Sequence, residues 1–350
     1  MGKQSTDIVI ISYNTLNHTL ECIKSINQTA KDIINLIIVV DNGSTDGTLD
    51  AIKSKYPDIK LISNNENLGY ARAVNIGVKS SNSDFVIISN NDVIYPNDSI
   101  EYLLEYLIEN TKVGAVGPQQ LYPDGDYQYS FGDLPGTKLG LKKLFLINHF
   151  QEYLKKKNWR NDRAITKQVP YLDGAVIATK RIAFDEVEGF DEDYFFYTEE
   201  ADYCHKLKQK GWAIIHNPKA LVTHFRGASD SYNGLNKKNH NGLNKKKYSE
   251  MISSKIKFCK KHLSFQSGKL YIICEIVYSF NMTVLWSLKS FFQKLKPTVR
   301  NHETAIQNGA HKHSTPDSKL LTSKRKIAYN KLMFHLWLDE FNKFLRSGEK

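Results

Sequence analysis

The chain has only four cysteines in 350 residues, Cys22, Cys204, Cys259 and Cys274, and no two form a CxxC pair. That spacing excludes a thiolate zinc site and a disulfide framework, and it fits a reducing compartment. No secretory leader is legible in MGKQSTDIVIISYN, where the apolar run is short and an Asp precedes it. The first six residues match the loose N-myristoylation pattern, which we read as coincidence. A stretch that approaches membrane-spanning length, Leu270–Leu288, is interrupted by Glu275 and Asn281. Acidic residues are scarce toward the C-terminus. Residues 230–350 hold 23 Lys+Arg against 8 Asp+Glu, whereas residues 1–229 hold 25 against 29, so the net charge of +11 arises wholly from the last third. A basic tail suits nucleic acid or an anionic membrane. No recognised nucleic-acid-binding fold accompanies it, and no nucleic acid is expected as a partner.

What is present is a core-forming composition, 41% hydrophobic, in a chain longer than one average domain. The first 120 residues alternate short β-branched runs with helical spacing. Strands are expected at Asp7–Tyr13, Asn35–Asn42, Ile59–Ser63, Asp84–Ser89 and Val113–Pro118. Helices are expected at Leu16–Ile26, from GSTDGT to about Lys55, at Tyr70–Lys79 and at Ser99–Asn110. Continuous apolar strands between helices indicate a parallel sheet covered on both faces. Such sheets bind ligands beyond the carboxyl ends of their strands. Four strands here end in polar residues at that edge: Ser12-Tyr13-Asn14, Asp41-Asn42, Asn64-Asn65 and Asn90-Asn91-Asp92.

After Pro118 the pattern changes. Leu121–Asp133 reads as a hairpin around PDGD, and Leu134–Asn161 as a mobile loop with one short helix. Val169–Thr179 reads as a strand pair around Asp173-Gly174. Glu199–Lys210 is a helix, and Trp212–His216 and Leu221–His224 are two strands. The repeated NGLNKK at Asn233–Lys238 and Asn241–Lys246 marks a flexible connection. Helical patterns follow at about 247–263, 267–295 and 324–345, with a polar linker over Lys296–Ser323.

Several side-chain groups carry chemistry, and each has a plain structural reading beside it. In DNGSTDGT, Gly43 and Gly47 make a turn and Thr45 or Asp46 caps the next helix. Asp41, at a strand end, is also placed to accept hydrogen bonds from a base or ribose. In NLGYARAVNIG, Gly69 permits a tight reversal, and Arg72 and Asn75 share one helix face. That arrangement suits a diphosphate at a helix N-terminus, although taken alone it reads better as a surface Arg on an ordinary helix. Asp92 is a ligand for a hard divalent cation, and Asn91 an amide partner for a sugar or water. Glu199, Glu200 and Asp202 complement a helix dipole. Preceded by aromatic residues, they also stand as carboxylates at the rim of an apolar cavity, which is where a general base belongs. His224 is either structural or the imidazole of a transition-metal site.

In this order the residues resemble the inverting family 2 glycosyltransferases, over about residues 6–230. The motifs are SYN, VVDNGSTDGT, NLGYARAVNIG, SNNDV, YLDGA, GFDEDYFFYTEEADYCHKLKQKGW and the late His224. The likeness is strongest to bacterial rhamnosyltransferase-like members that build O-antigen, capsule or other cell-surface polysaccharide. It implies an α/β, GT-A, Rossmann-like fold with a mixed, mostly parallel sheet, helices on both faces and a helical C-terminal extension. It implies a catalytic domain over 1–230, a nucleotide-binding half to about 118 and an acceptor half after it. A linker at 231–247, helices at 248–295, a second linker at 296–323 and a last helix at 324–346 complete the expected organisation.

The resemblance also implies roles. Ser12, Tyr13, Asp41, Gly69, Arg72, Asn75, Asn91 and Asp92 would bind the nucleotide-sugar. Asp92 and His224 would hold Mg2+ or Mn2+. Glu200 would be the general base, and Asp173, Gly174, Glu199 and Trp212 would border the acceptor. Two departures stand out: Asn90 replaces the first Asp of a DxD motif, and Glu200 replaces the usual Asp. The reaction implied is transfer of a sugar, rhamnose from dTDP-rhamnose first, to a saccharide or lipid-linked saccharide acceptor. A UDP-hexose or UDP-N-acetylhexosamine donor is the alternative. A non-catalytic glycan-binding scaffold and a nucleotidyltransferase are the rivals from other classes.

Glu275, Ser279, Thr283 and Ser287 recur every four residues and form one polar stripe. That pattern favours an amphipathic helix over a spanning one. Its expected settings are peripheral contact with the cytoplasmic face of the inner membrane through 267–295, packing on the catalytic domain, or a homodimer.

Overall fold

The computed structural model of the chain describes residues 4–158, 165–226, 244–295 and 316–347. They form two compact units, one of residues 1–135 and 148–236, the other of residues 136–147 and 237–350. Residues 136–147, expected within the catalytic domain, thus group with the C-terminal helices.

In chain order the first unit runs β1 (Thr6–Ser12), α1 (Leu16–Thr29), β2 (Leu36–Asp41), α2 (Thr48–Lys55), β3 (Lys60–Ser63), α3 (Tyr70–Lys79), β4 (Phe85–Asn90), β5 (Val93–Ile94), α4 (Ser99–Glu109), β6 (Val113–Leu121) and β7 (Phe131–Gly132). Helix α5 (Thr137–Leu144) belongs to the second unit. The first resumes with α6 (Ile147–Asn158), β8 (Lys167–Gln168), β9 (Tyr171–Leu172), β10 (Val176–Lys180), α7 (Arg181–Glu186), α8 (Glu199–Gln209) and β11 (Ala213–His224). The main sheet has the order β3-β2-β1-β4-β10-β6-β11-β5, with β8 also on β11; β7 and β9 pair separately. Strands β3, β2, β1, β4, β6 and β11 run in one direction, and β10 is inserted antiparallel between β4 and β6. This is the mixed, mostly parallel sheet of the GT-A type.

Alternation along β1 shows why these runs are continuously apolar. Ile8 and Ile10 face a core shared with α1, α2 and α4, while Val9 and Ile11 face one shared with α3, α7 and α8. A strand buried on both faces has no polar positions to spare. Each fully buried aliphatic contributes about 1.5–3 kcal/mol.

Four expectations are corrected. The residues around Asp173-Gly174 do not form a strand pair: Tyr171–Leu172 joins β7, and Val176–Lys180 enters the main sheet. Trp212–His216 and Leu221–His224 are parts of one strand, whose register shifts between Asn217 and Leu221. The segment read as a loop with one short helix carries two, α5 and α6, because the Lys-rich spacing conceals shallow apolar faces. The two linkers lie mostly outside the described residues, and their described ends, 245–247 and 316–323, are helical.

The second unit packs α5 with α9 (Lys245–His262), α10 (Phe265–Leu295) and α11 (Pro316–Ser347). Its core includes Ile252, Ile256, Tyr271, Ile272, Leu336 and Trp337. The polar stripe of α10 points inward: Glu275 and Ser279 are each 3% exposed. Lys143 of α5 bonds Glu275. Burial pushes the Glu275 carboxyl up, but the ammonium groups of Lys143 and Lys255 outweigh it and hold the group below its ordinary range. The apolar residues Ile273, Val277, Phe280, Val284 and Leu288 of the same helix are exposed instead, by 36–54%. By length and composition, Phe265–Phe292 is a helix able to cross a membrane.

Removing one partner of a buried pair strands the other charge. Lys143→Met should lower unfolding free energy by about 3–5 kcal/mol, and Lys143→Met with Glu275→Leu should recover most of it. Urea denaturation, with amide exchange in α10 as the local readout, checks both.

Candidate active site

The carboxyl edge of the parallel strands carries the polar ends expected there. Its geometry is set by loops that pin one another. Asn14, at the end of β1, accepts from Thr45 N (2.7 Å), and its own N–H donates to Ser44 Oγ (2.8 Å). Asp46 accepts from Leu16 N at the start of α1 and from Thr48. The two loops therefore form one ledge. Asp41 is fully buried at the ledge's base, where its Oδ2 accepts from Gly43 N and Ser44 N (3.2 and 2.8 Å). Its Oδ1 is buried without a partner. Such an atom calls for an N–H or O–H donor, which a bound ligand or water supplies. Ser12 and half-buried Tyr13 flank it.

Asp92 and His224 are brought together by β5. Val93–Ile94 pairs antiparallel with Thr223–His224, and Phe225 N donates to Asp92 O (3.0 Å). His224 Nε2 then lies 3.3 Å from Asp92 Oδ1, both side chains 5% exposed. His224 Nδ1 meets two amide oxygens, Gln120 Oε1 (3.0 Å) and Gln128 Oε1 (2.7 Å). The amide nitrogens of those glutamines donate elsewhere, to Asp173 Oδ1 and His224 O. Nδ1 therefore carries a proton, and Nε2 faces a carboxylate oxygen. At this separation a proton or a cation must lie between Nε2 and Oδ1. The separation fits two neighbouring ligands of one cation at ~2.1 Å each. Among the described residues no three His, Cys, Asp or Glu side chains converge to hold a metal. A cation here would take two ligands from the chain and its other positions from a bound group or water.

The third cluster surrounds Glu200. The preceding residues Tyr197 and Thr198 have φ of 71° and 73°, an uncommon left-handed pair for side chains of their size. They present Glu200 half-buried, its Cβ 3.5 Å from where a Cβ on Gly174 would sit. Burial, and next the charge of Asp173, push the Glu200 carboxyl up to about 7, against the pull of backbone bonds and Arg226. Asp173 bonds Arg226 through Oδ2 and Gln120 through Oδ1. Tyr70 donates to Gly174 O (2.9 Å). Glu199 points inward, 4% exposed.

The structure thus brings Ser12, Tyr13, Asp41, Asn91, Asp92, Asp173, Gly174, Glu200 and His224 to one edge, but not all in the roles expected. Asn91 turns into the core: its amide donates to the hydroxyls of Ser12, Thr15 and Thr19. Asn75 is 4% exposed and braces the loop before α8, donating to Phe190 O and Glu192 and accepting from Phe190 N. Arg72 pairs with Glu192 at 3.1 Å, both half exposed. Gly69 (φ +86°) lets the chain pass Phe195, whose carbonyl would lie 2.6 Å from an added Cβ and which accepts from Tyr70 N (2.9 Å). The N-terminus of α3 is thus engaged by protein. Trp212 lies at the opposite edge of the sheet. It precedes β11, donates to Glu186 (2.8 Å) and packs on Gly114. It is no part of this site. Gln120, Gln128 and Arg226 were missed. The QQ pair closing the apolar run VGAVGPQQL was the legible signal for the first; nothing local marks the other two.

The model of the glycosyl transferase family 2 matches residues 7–187. The chain belongs to this family. It is 30% identical over 235 residues to an N-acetylglucosaminyl-diphospho-decaprenol L-rhamnosyltransferase of Mycobacterium tuberculosis, covering 63% of this chain and 76% of that one. It is 29% identical over 118 residues to a poly-beta-1,6-N-acetyl-D-glucosamine synthase of Staphylococcus epidermidis, covering 32% and 28%. Among solved structures, a mannosyltransferase from Pyrobaculum calidifontis, in complex with GDP-Man and Mn2+, aligns with a TM-score of 0.55 at 15% identity. The alignment covers 96% of this chain and 86% of that one, and it shows the shared GT-A fold. The chain is a glycosyltransferase.

The two α3 residues should behave differently on truncation. Asn75→Ala removes three bonds, two of them buried, and should cost about 2–3 kcal/mol, whereas Arg72→Ala breaks an exposed pair and should cost at most about 1 kcal/mol. Parallel urea denaturation of both variants checks this.

Proposed function

We propose that this glycosyltransferase moves a sugar, L-rhamnose from dTDP-rhamnose, to a hydroxyl of a lipid-linked saccharide with inversion, in assembly of a cell-surface polysaccharide such as O-antigen or capsule. The observation that carries the reaction is Glu200: a half-buried carboxyl raised to about 7, on the same sheet edge as the ligand-seeking Asp41 and the Asp92–His224 pair. The choice of rhamnose and of a lipid-linked acceptor is supported by the mycobacterial relative's own activity. An N-acetylhexosamine donor is the second reading, favoured by the staphylococcal relative.

On this reading Asp41 Oδ1 accepts from the base or ribose of the nucleotide. Asp92 and His224 Nε2 hold a divalent cation, Mg2+ or Mn2+. When bound, that cation neutralises charge growing on the diphosphate leaving group. Glu200 accepts the proton of the acceptor hydroxyl as its oxygen attacks the anomeric carbon from the face opposite the leaving group. Asp173 and Gly174 border the acceptor, and Arg226 balances the two neighbouring carboxylates. The buried, pre-bonded edge keeps these groups in place without reorganisation during transfer.

We place the enzyme in the cytoplasm, peripheral on the inner face of the membrane. The exposed stripe of α10 supports this. So does charge: the second unit holds 26 Lys+Arg against 7 Asp+Glu, a net of +19. Lys289 and Lys326 lie 4.7 and 4.0 Å from the ring centre of Trp286, an aromatic–cation grouping suited to headgroups. The buried Glu275–Lys143 pair favours a helix lying in the interface over one crossing it. A homodimer through the same face would oppose two units of +19.

Glu200→Gln should lower kcat by about 10²–10⁴-fold and leave donor binding intact. A base acts only when deprotonated, so kcat of the parent should rise with pH and reach half its plateau near pH 7. A rate independent of pH between 5 and 9 would sink the assignment. The donor base is read from thermal shifts with dTDP, UDP and GDP, with and without Mn2+; Asp92→Ala should abolish the metal-dependent part. Flotation with vesicles should show binding to anionic but not to neutral bilayers, weakened about tenfold or more by Phe280→Ser with Val284→Ser. Equal binding to both vesicle types, or a dimer that persists without them, would remove the membrane from the proposal.

A further inference from the structure

We infer that Gln120 is the positioning residue that ties the cation-holding pair of the site to its base: its one amide bonds His224 at one end and Asp173 at the other. The inference rests on the roles proposed above for Asp92, His224 and Glu200, and adds a residue between them.

The linkage is continuous. Asp92 Oδ1 faces His224 Nε2 at 3.3 Å, and His224 Nδ1 donates to Gln120 Oε1 at 3.0 Å. Gln120 Nε2 donates to Asp173 Oδ1 at 3.1 Å, and Asp173 Oδ2 bonds Arg226. Gln120 is fully buried, near the end of β6 and directly opposite Val222 of β11. An amide is the neutral side chain that accepts from an N–H and donates to a carboxylate at once, with no dependence on pH. An aliphatic residue there would leave an imidazole N–H and a carboxylate oxygen each short of a buried partner.

Each end has a consequence. On the cation side, the amide oxygen engages Nδ1 and so leaves Nε2 as the ring nitrogen that faces Asp92. Outer partners of this kind commonly set metal affinity by 10–100-fold. On the base side, the amide N–H fixes Asp173, whose charge helps raise Glu200. The groups around Glu200 are Asp173, Arg226, Tyr70 of α3, Tyr171 of β9, and Glu199 and Cys204 on its own helix. Among them Asp173 is the one that Gln120 holds.

Gln128 supplies an internal comparison. Its side chain bonds His224 twice, through Oε1 to Nδ1 and through Nε2 to the carbonyl, and does not bond Asp173. It shares the cation side alone. Gln120→Glu separates the two ends of Gln120: the carboxylate still accepts from Nδ1 but offers no donor to Asp173 and adds a like charge beside it.

The test measures Mn2+ affinity in the presence of dTDP, by the electron-spin signal of free Mn2+, together with the pH profile of kcat. Gln120→Leu and Gln128→Leu should each weaken Mn2+ binding by about tenfold or more. Gln120→Glu should bind Mn2+ like the parent and move the rising limb of kcat to higher pH, whereas Gln128→Leu should leave that limb in place. A purely structural role would lower thermal stability and move neither readout. If Gln120→Leu does not fold, Gln120→Glu and Gln128→Leu still decide the matter. A parent that binds Mn2+ while Gln120→Leu binds it equally, or a Gln120→Glu limb at the parent's pH, overturns the inference. A parent that binds no Mn2+ with any nucleoside diphosphate overturns the cation reading itself, and this linkage with it.

Discussion

Two residues of β5 paired with two of β11 hold the site together. Val93–Ile94 against Thr223–His224 is too short a ladder to be stable alone, and it persists because its surroundings are fixed. Phe225 N donates to Asp92 O, and Ser99 at the start of α4 donates to Leu221 O. Through this clamp a carboxylate on one side of the sheet and an imidazole from its last strand meet where water is excluded. Buried polar groups of that kind persist only when each is partnered. Hence the glutamines: the hairpin after β6 folds back so that Gln128 N donates to Gln120 O (3.1 Å), bringing both amides to one ring nitrogen. The polar interior of this edge is organised by the needs of His224.

Glu200 is supported differently, by strain and bracing. Left-handed backbone at Tyr197 and Thr198 costs on the order of 1–3 kcal/mol each and survives only where neighbours over-determine it. The neighbours are in α3. Tyr70 N is bonded by Phe195 O, Asn75 clamps Phe190 through both its amide groups, and Gly69 makes room for the passing chain. The helix start that resembles a phosphate cradle is also the mount for the loop that carries Glu200. Its N–H groups and small residues serve backbone approach in both readings, which is why the motif alone did not separate them.

Much of the sheet was legible because a strand buried on both faces admits only apolar residues, and its polar end then stands out. That contrast placed Asp41, Asp92 and His224 at the strand ends where the structure has them, and helix α3 was bounded to the residue. Strand β10 was harder. VIAT is as apolar as the parallel strands, and direction leaves no mark on composition. Trp212 was misplaced because an aromatic residue before a strand looks alike at either edge; only the direction of β11 puts it opposite His224. Arg226 and Gln128 are long-range partners, separated from Asp173 and His224 by 53 and 96 residues, and no local pattern records such pairings. Of α10, periodicity revealed the polar stripe but not which side of the helix the protein covers.

That orientation follows from one ion pair. Apart from its stripe, α10 is apolar nearly all round, so burial of hydrocarbon alone would seat it on α5 and α11 through several faces at similar gain. Glu275 removes that freedom. Turned outward it would forgo Lys143; turned toward α11 without a cation it would be a stranded charge in a core built around Tyr271 and Trp337. One rotation satisfies it, and that rotation places Ser279 inside and leaves Ile273, Val277, Phe280, Val284 and Leu288 uncovered. The exposed apolar face is therefore a consequence of where the buried charge must sit. The excess of cations lies in the same unit, while the other unit carries 22 Lys+Arg against 30 Asp+Glu. On the proposed peripheral placement, an anionic surface would attract the helical unit and repel the other one, so the charge distribution and the uncovered face of α10 point to the same side of the helical unit.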